Sequence, residues 1–274
     1  MKIDAILSPA DLPALARRDL RDTACVVFDV LRATSTFVTA LHNGAKAVIP
    51  VAEIFEALAL RQKQPGVLLG GERDGVKIRA AQTGGGDFDL GNSPREYTPE
   101  KVRGKTIVST TTNGTRALRA CAGAQTVLAA SFLNLTATAK LVQQLRPAEV
   151  LLVCAGTREN IATEDVLAAG ALAETLIRWG ETTGEPKREQ KHLGSRGRSP
   201  HQKDACEFSD SAETARNAWR KAKSNLLEVV SKAENARRLL AIPELRDDVA
   251  FCLQPDVFDL VAALGRDGTI RTSI

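Results

Sequence analysis

Apolar residues fall along this chain in short blocks that alternate with helical stripes. Residues 23–30 (Thr-Ala-Cys-Val-Val-Phe-Asp-Val) are almost wholly apolar until Asp29, as in a strand covered on both faces. The next stretch, Leu-Arg-Ala-Thr-Ser-Thr, leads into a helix through about Leu41, closed by Asn43-Gly44 as a C-cap. A short strand at 47–49 precedes a stripe of Val51, Ile54, Phe55 and Leu58, the i, i+3, i+4, i+7 spacing of a helix packed on a sheet. Val67-Leu68-Leu69 is a further strand, stopped by Gly70-Gly71-Glu72-Arg73.

Residues 74–99, rich in Gly, Asp, Asn and Pro, read as a long functional loop with one short strand. Residues 106–116 (Thr-Ile-Val-Ser-Thr-Thr-Thr-Asn-Gly-Thr-Arg) then pass from a β-branched run through hydroxyls to Asn113-Gly114. Ala117, Leu118 and Cys121 follow at helical spacing, which makes a strand, a tight turn and a helix start. A strand at 126–130, a helix at 135–145, a strand at 150–154 and a helix from Thr163 to about Trp179 continue the alternation. This order predicts βαβ units: an α/β fold, three-layer α/β/α, around a largely parallel or mixed sheet, with two intertwined α/β lobes as a variant.

Residues 180–204 hold almost no apolar side chains and read as a solvated polar loop within a single domain. Two helices are expected at 211–223 and 225–240, and strand-like segments at 249–253, 258–261 and 269–272.

Composition narrows the function. No apolar run approaches a membrane span, and residues 1–9 lack the apolar core of a secretion signal, so a cytoplasmic protein is expected. The excess of 37 basic over 33 acidic residues is mild, and 4% aromatic residues are too few for base-stacking platforms. The expected partner is therefore a small anion, with no nucleic acid and no membrane; homo-oligomerisation stays open. The five cysteines are scattered, without a Cys-x-x-Cys pair, and suit buried packing better than a disulfide framework or zinc site. His42, His192 and His201 occupy a helix end and the polar loop, and no Walker loop is present.

In parallel α/β sheets, ligands collect at the carboxyl ends of strands. Those ends carry Asp29 with Arg32, Glu72 with Arg73, the run 109–113, and Glu164-Asp165. Each alone suits an ordinary cap or turn. Gathered together they suit a divalent ion, which needs one to three carboxylates beside a bound phosphate. The turn at Asn113-Gly114, with free helix-start amides, hydroxyls and Arg116, suits an oxyanion.

Six motifs occur in order: Asp29 through Thr36 (Asp-Val-Leu-Arg-Ala-Thr-Ser-Thr), Gly71-Glu72-Arg73, Asp89 through Pro94 (Asp-Leu-Gly-Asn-Ser-Pro), Thr111 through Arg116, Cys154-Ala155-Gly156 and Glu164-Asp165. As an ordered set they resemble the 2-phosphosulfolactate phosphatase family of coenzyme M biosynthesis. The likeness runs over about residues 23–176 and resumes over 225–251. It implies Mg²⁺-dependent hydrolysis of (R)-2-phospho-3-sulfolactate to 3-sulfolactate and phosphate. On that resemblance Asp29 and Arg32 are catalytic, and a subset of Asp29, Glu72, Glu164 and Asp165 holds Mg²⁺. Thr112, Asn113, Gly114 and Thr115 cradle the phosphoryl group, with Arg32 and Arg73 or Arg116 pairing its oxygens. Asn92 and Ser93 serve the far end of the substrate.

The sequence departs from the family at 80–86 and 180–204. Two rival readings are a haloacid-dehalogenase-like phosphatase and a non-catalytic binder of a phosphorylated metabolite. The first is weakened by Leu31, which stands where that class usually carries a second Asp.

Overall fold

The computed structural model describes residues 1–182 and 206–273. The polar loop expected at 180–204 lies outside the described residues, apart from 180–182, which end a helix. In chain order the elements are β1 (Lys2–Ile6), β2 (Thr23–Phe28), α1 (Ala33–His42), β3 (Ala47–Val51), α2 (Ile54–Lys63), β4 (Leu68–Arg73), β5 (Val76–Lys77) and α3 (Ala80–Thr83). The middle of the chain adds α4 (Pro99–Val102), β6 (Thr106–Thr110), α5 (Gly114–Ala120), β7 (Thr126–Ala130), α6 (Leu135–Leu145), β8 (Glu149–Cys154) and α7 (Thr163–Thr182). Then come β9 (Glu207–Phe208), α8 (Asp210–Ala222), α9 (Leu226–Ser231), α10 (Glu234–Leu240), α11 (Arg246–Cys252), β10 (Val261–Leu264) and β11 (Ile270–Ser273).

The strands form one mixed sheet in the order β5-β4-β6-β3-β11-β10-β7-β2-β8-β1-β9. Two parallel blocks, β4-β6-β3 and β7-β2-β8-β1, flank the antiparallel hairpin β10–β11. The α/β class is as expected, and the hairpin makes the sheet mixed. The chain visits one block with β1 and β2, the other with β3 to β6, and returns with β7 to β9. The seam between hairpin and second block is thin: β11 pairs with β3 at one position, Ile270 with Val48.

Alternation along the strands separates two cores. On β2, Val26 and Phe28 join the core under α6, α7 and α8, whereas Cys25 and Val27 join the one around α1. On β8, Val150 and Leu152 go to the first core and Leu151 and Val153 to the second. The residues of α1 from Ala33 to Leu41 are all buried, because α1 touches β3, β7, β10 and β11 together. A flat sheet would set β4 about 29 Å from β2, six neighbours away at roughly 4.8 Å each. Yet Gly75, just past β4, accepts a 2.6 Å hydrogen bond on its carbonyl from Arg32, just past β2. The sheet therefore curls around α1 and brings the strand tips of both blocks to one place.

The differences from expectation are local. Of the strand expected at 249–253, residues 249–252 belong to α11, where Asp248, Val249 and Cys252 form one buried helical face. The helix expected at 225–240 breaks into α9 and α10 at Ala233, whose backbone is extended. β1 has no clear signature in the sequence, because its five residues are only half covered and the alternation is short. The strand expected at 258–261 starts at Val261 instead. Among the described residues no helix is long and apolar enough to cross a membrane.

Gly170 of α7 sits where a Cβ would stand 2.1 Å from the Ala215 carbonyl oxygen of α8. Gly170→Ala gains helix propensity of up to about 1 kcal/mol, but the backbone clash forces α7 and α8 apart. A net loss of about 1–2 kcal/mol is expected, read as a lower denaturant midpoint at unchanged slope.

Candidate active site

Asp29 is the residue on which the strand tips converge. It follows directly on β2 and is buried. The Ala33 amide, at the start of α1, donates to its Oδ1 at 3.1 Å, and the Gly114 amide, at the start of α5, lies near enough to favour the charged carboxylate. Two helix N-termini thus meet one anion, which their dipoles favour. A Cβ on Gly114 would lie 2.8 Å from Asp29 Oδ2 and 2.8 Å from the Ala33 Cβ, so only glycine lets α5 come this close. Even so, burial pushes the Asp29 carboxyl up to about 7, with repulsion from Glu72 and Glu164 adding to the rise.

Glu72 is the last residue but one of β4 and is buried. Its Oε1 accepts from the Thr112 amide and hydroxyl, each at 2.9 Å, and its Oε2 accepts from the Gly75 amide at 2.7 Å. Glu164, in the first turn of α7, is 1% exposed. Its Oε1 accepts from Asn235 Nδ2 at 2.8 Å, while its buried Oε2 meets no donor among the described residues. Burial raises its carboxyl as well. An unpartnered carboxylate oxygen near two further carboxylates is the kind of place where a cation relieves both desolvation and repulsion.

Asp165 stands differently. Its Oδ1 accepts from the Val30 amide at 2.8 Å and its Oδ2 from the Gly156 amide at 3.0 Å. Both oxygens thereby tie the ends of β2 and β8 to α7, leaving it a structural link between the strand tips. Among the described residues, no three Asp, Glu, His or Cys side chains stand close enough to ligate one ion together.

Beside the carboxylates opens a pocket of about 340 Å³. Arg32 lines it and is itself buried. Its Nη1 pairs with Asp248 Oδ2 at 2.7 Å and its Nη2 donates to the Gly75 carbonyl at 2.6 Å. Asp248, wholly buried on α11, also accepts from the Ser93 hydroxyl at 2.7 Å. Ser93 thus reaches the site through Asp248 and Arg32. Asn92 lines the pocket itself, and its buried Oδ1 has no donor among the described residues. Thr112 and Asn113 line it too, and Asn113 Oδ1 accepts from the Arg158 amide at 3.2 Å.

Three residues expected near the phosphate are held elsewhere. Arg73 directs its guanidinium at the Glu72 and Ala52 carbonyls and the Thr110 hydroxyl, clamping the ends of β4, β3 and β6. Thr115 is buried, with its hydroxyl 3.3 Å from that of Thr111. Arg116 pairs with Glu159 at 2.7 Å on the exposed surface. The structure also brings in residues outside the expected set: Thr157 and Arg158 just past β8, and, far from any strand tip in sequence, Asp248, Asn235 and Arg238. Asn235 and Arg238 sit three apart around buried Ala236 and Leu239, a polar face that looks like any solvated helix side in sequence.

The family model for 2-phosphosulpholactate phosphatase matches residues 10–267. A protein of Caldanaerobacter subterraneus subsp. tengcongensis named "Probable 2-phosphosulfolactate phosphatase" is 38% identical over 258 residues, 93% of each chain. One of the same name from Thermotoga maritima is 38% identical over 263 residues, 96% of this chain and 95% of the relative. A third, from Clostridium acetobutylicum, is 33% identical over 262 residues, 95% and 96% of the two chains. The motifs that meet at the Asp29 pocket, and a likeness spanning nearly the whole length, lead to one assignment: this chain belongs to the 2-phosphosulfolactate phosphatase family, whose members are phosphoric monoester hydrolases.

Proposed function

We propose that the protein hydrolyses (R)-2-phospho-3-sulfolactate to 3-sulfolactate and phosphate with the aid of Mg²⁺, as a cytoplasmic step of coenzyme M biosynthesis. The observation that carries this reading is the set of buried carboxylates at the strand tips, Asp29, Glu72 and Glu164, beside a pocket lined by arginines. Hydrolysis of a phosphate monoester demands charge neutralisation and in-line positioning above all. Mg²⁺ is commonly held by one or two carboxylates, with water and phosphate oxygens completing its shell. Asp29 and Glu164 are the residues best suited to hold it: one is crowded by like charge, and the other has an unpartnered oxygen. Bound there, the ion neutralises phosphoryl oxygens.

The chain's own groups do the rest. Arg32 has five N–H donors; Asp248 and the Gly75 carbonyl occupy two of them and lock the guanidinium in place. The remaining donors hold the phosphoryl group in a fixed orientation. Thr112, Asn113 and Asn92 give the pocket polar walls, while Leu31, Leu239 and Ile242 exclude water from one side.

The decisive assay is phosphate release from (R)-2-phospho-3-sulfolactate with and without EDTA. Steady turnover is expected, falling at least about tenfold on chelation and restored by Mg²⁺. Turnover indifferent to EDTA sinks the metal assignment. Tight binding without phosphate release makes the protein a binder of phosphorylated metabolites.

A further inference from the structure

The charges of the pocket are segregated. Asp29 and Glu72 lie at the strand tips, and the charge of Arg32 is already matched by buried Asp248. Two further guanidinium groups line the same pocket, as does exposed Asp74 just past β4; of the two, only that of Arg238 has no anion at ion-pair distance among the described residues. Arg238 of α10 is half-buried and has no hydrogen bond or ion pair among the described residues. Arg158 lies just past β8 on a left-handed turn, φ 57°, and has only a 3.7 Å contact with exposed Asp74.

The position of Arg238 along α10 sets it one helical turn beyond the residue that holds Glu164. Asn235 grips Glu164. Arg238 follows three residues later on the same helical face, about 5 Å farther along the axis. The pocket therefore grades from the carboxylates of Asp29 and Glu72 at the tips of β2 and β4 to the unpaired guanidinium of Arg238 on the α10 wall.

The geometry points to Arg238, assisted by Arg158, as the reader of the sulfonate of the substrate. The inference rests on the function proposed above, with the phosphoryl group beside Asp29. In 2-phospho-3-sulfolactate the carboxylate shares its carbon with the phosphate ester, whereas the sulfonate is carried one carbon farther out. With the phosphoryl group at the strand tips, the sulfonate is the anion that extends toward the α10 wall. It is a strong acid, ionised at every working pH, and its oxygens match the planar fork of an arginine.

The test compares two substrates. (R)-2-Phospho-3-sulfolactate carries all three anions, and 2-phospholactate of matching spatial arrangement has a methyl group in place of the sulfonate-bearing carbon. Arg238→Ala is expected to raise KM for phosphosulfolactate about 10- to 100-fold, the loss of one charge-assisted contact. Its kcat, and its kcat/KM for phospholactate, stay within about threefold of wild type, as for any interaction absent from that substrate. Arg238→Gln behaves likewise, Arg238→Lys recovers part of the loss, and Arg158→Ala gives a smaller selective rise.

Equal losses on both substrates would assign Arg238 to the phosphoryl or carboxylate group and overturn the inference, as would no loss on either. Failure of the wild-type protein to hydrolyse phosphosulfolactate at all would instead remove the proposed function, and the sulfonate site with it.

Discussion

Asp29→Asn is expected to reduce phosphate release about 10³-fold while making the metal-free protein more stable at pH 8. The loss of rate follows from where the carboxylate sits. It is buried, oriented by the Ala33 and Gly114 amides, and next to the carboxylates proposed to share an ion. Removing one preorganised charge from such a site costs on the order of 10²–10³ in kcat. Losing a proposed ligand of the ion would add to that.

The gain in stability follows from the same burial. The folded protein holds the Asp29 carboxyl at about 7, against an ordinary value of 3.8. As pH rises from 3.8 to about 7, the unfolded chain ionises this group while the folded chain keeps its proton, so stability falls across that window. A shift of about three units corresponds to roughly 4 kcal/mol, fully felt above pH 7 and absent below about pH 4. Asn carries no charge to desolvate, but its single oxygen serves the two amides less well, so about 1–3 kcal/mol of stabilisation should remain at pH 8. Mg²⁺ should shrink the difference, because on the proposed assignment it would bind and stabilise only the wild type strongly. Thermal midpoints of both proteins at pH 4.5 and pH 8, with and without Mg²⁺, check every part. A variant that is no more stable at pH 8 shows that Asp29 is not strained by burial, and one that keeps most of its activity shows that Asp29 is not a ligand in the reaction.

The site was legible in sequence where chemistry and chain punctuation coincide. The run at 23–30 ends in Asp29, and the run at 106–116 ends in Asn113-Gly114. Each is a buried strand stopped abruptly by polar residues and a helix start, so a strand tip could be placed to within two residues. What linked those tips was not local. The curl of the sheet depends on the hairpin β10–β11, whose strands are four residues each and nearly featureless. For the same reason the partner of Arg32 stayed hidden. Asp248 comes 216 positions later in the chain, beside a Val-Ala-Phe-Cys run that reads as easily for a strand as for the last turns of a helix. Arg73 and Arg116 show what pattern leaves open. Both follow their motif closely in sequence, but a side chain at a strand tip can turn back to clamp carbonyls or out to the surface, and pattern alone does not distinguish these.

The pairing of Arg32 with Asp248 carries the other large effect, because both partners are buried, at 3% and 0% side-chain exposure. Asp248→Ala would leave a guanidinium without its counter-charge and the Ser93 hydroxyl without its acceptor. Uncompensated burial of this kind costs about 3–5 kcal/mol, and Arg95, 3.7 Å away, adds like-charge repulsion to the site rather than relief. Arg32→Lys is the complementary change: charge persists, but a single ammonium cannot reach Asp248 and the Gly75 carbonyl with one planar fork. Its kcat/KM should fall at least about 30-fold with a smaller loss of stability.

The pair need not stabilise the fold better than an apolar pair of similar volume would. Arg32→Met combined with Asp248→Leu should therefore recover most of the stability that Asp248→Ala loses, yet remain inactive. That combination separates the two roles: stability follows charge compensation, and turnover follows the oriented guanidinium. Chemical denaturation and phosphate-release kinetics on the three variants measure both. If Asp248→Ala lost under about 1 kcal/mol and still turned over substrate, the buried pair would be an incidental contact, and Arg32 would owe its orientation to the Gly75 carbonyl alone.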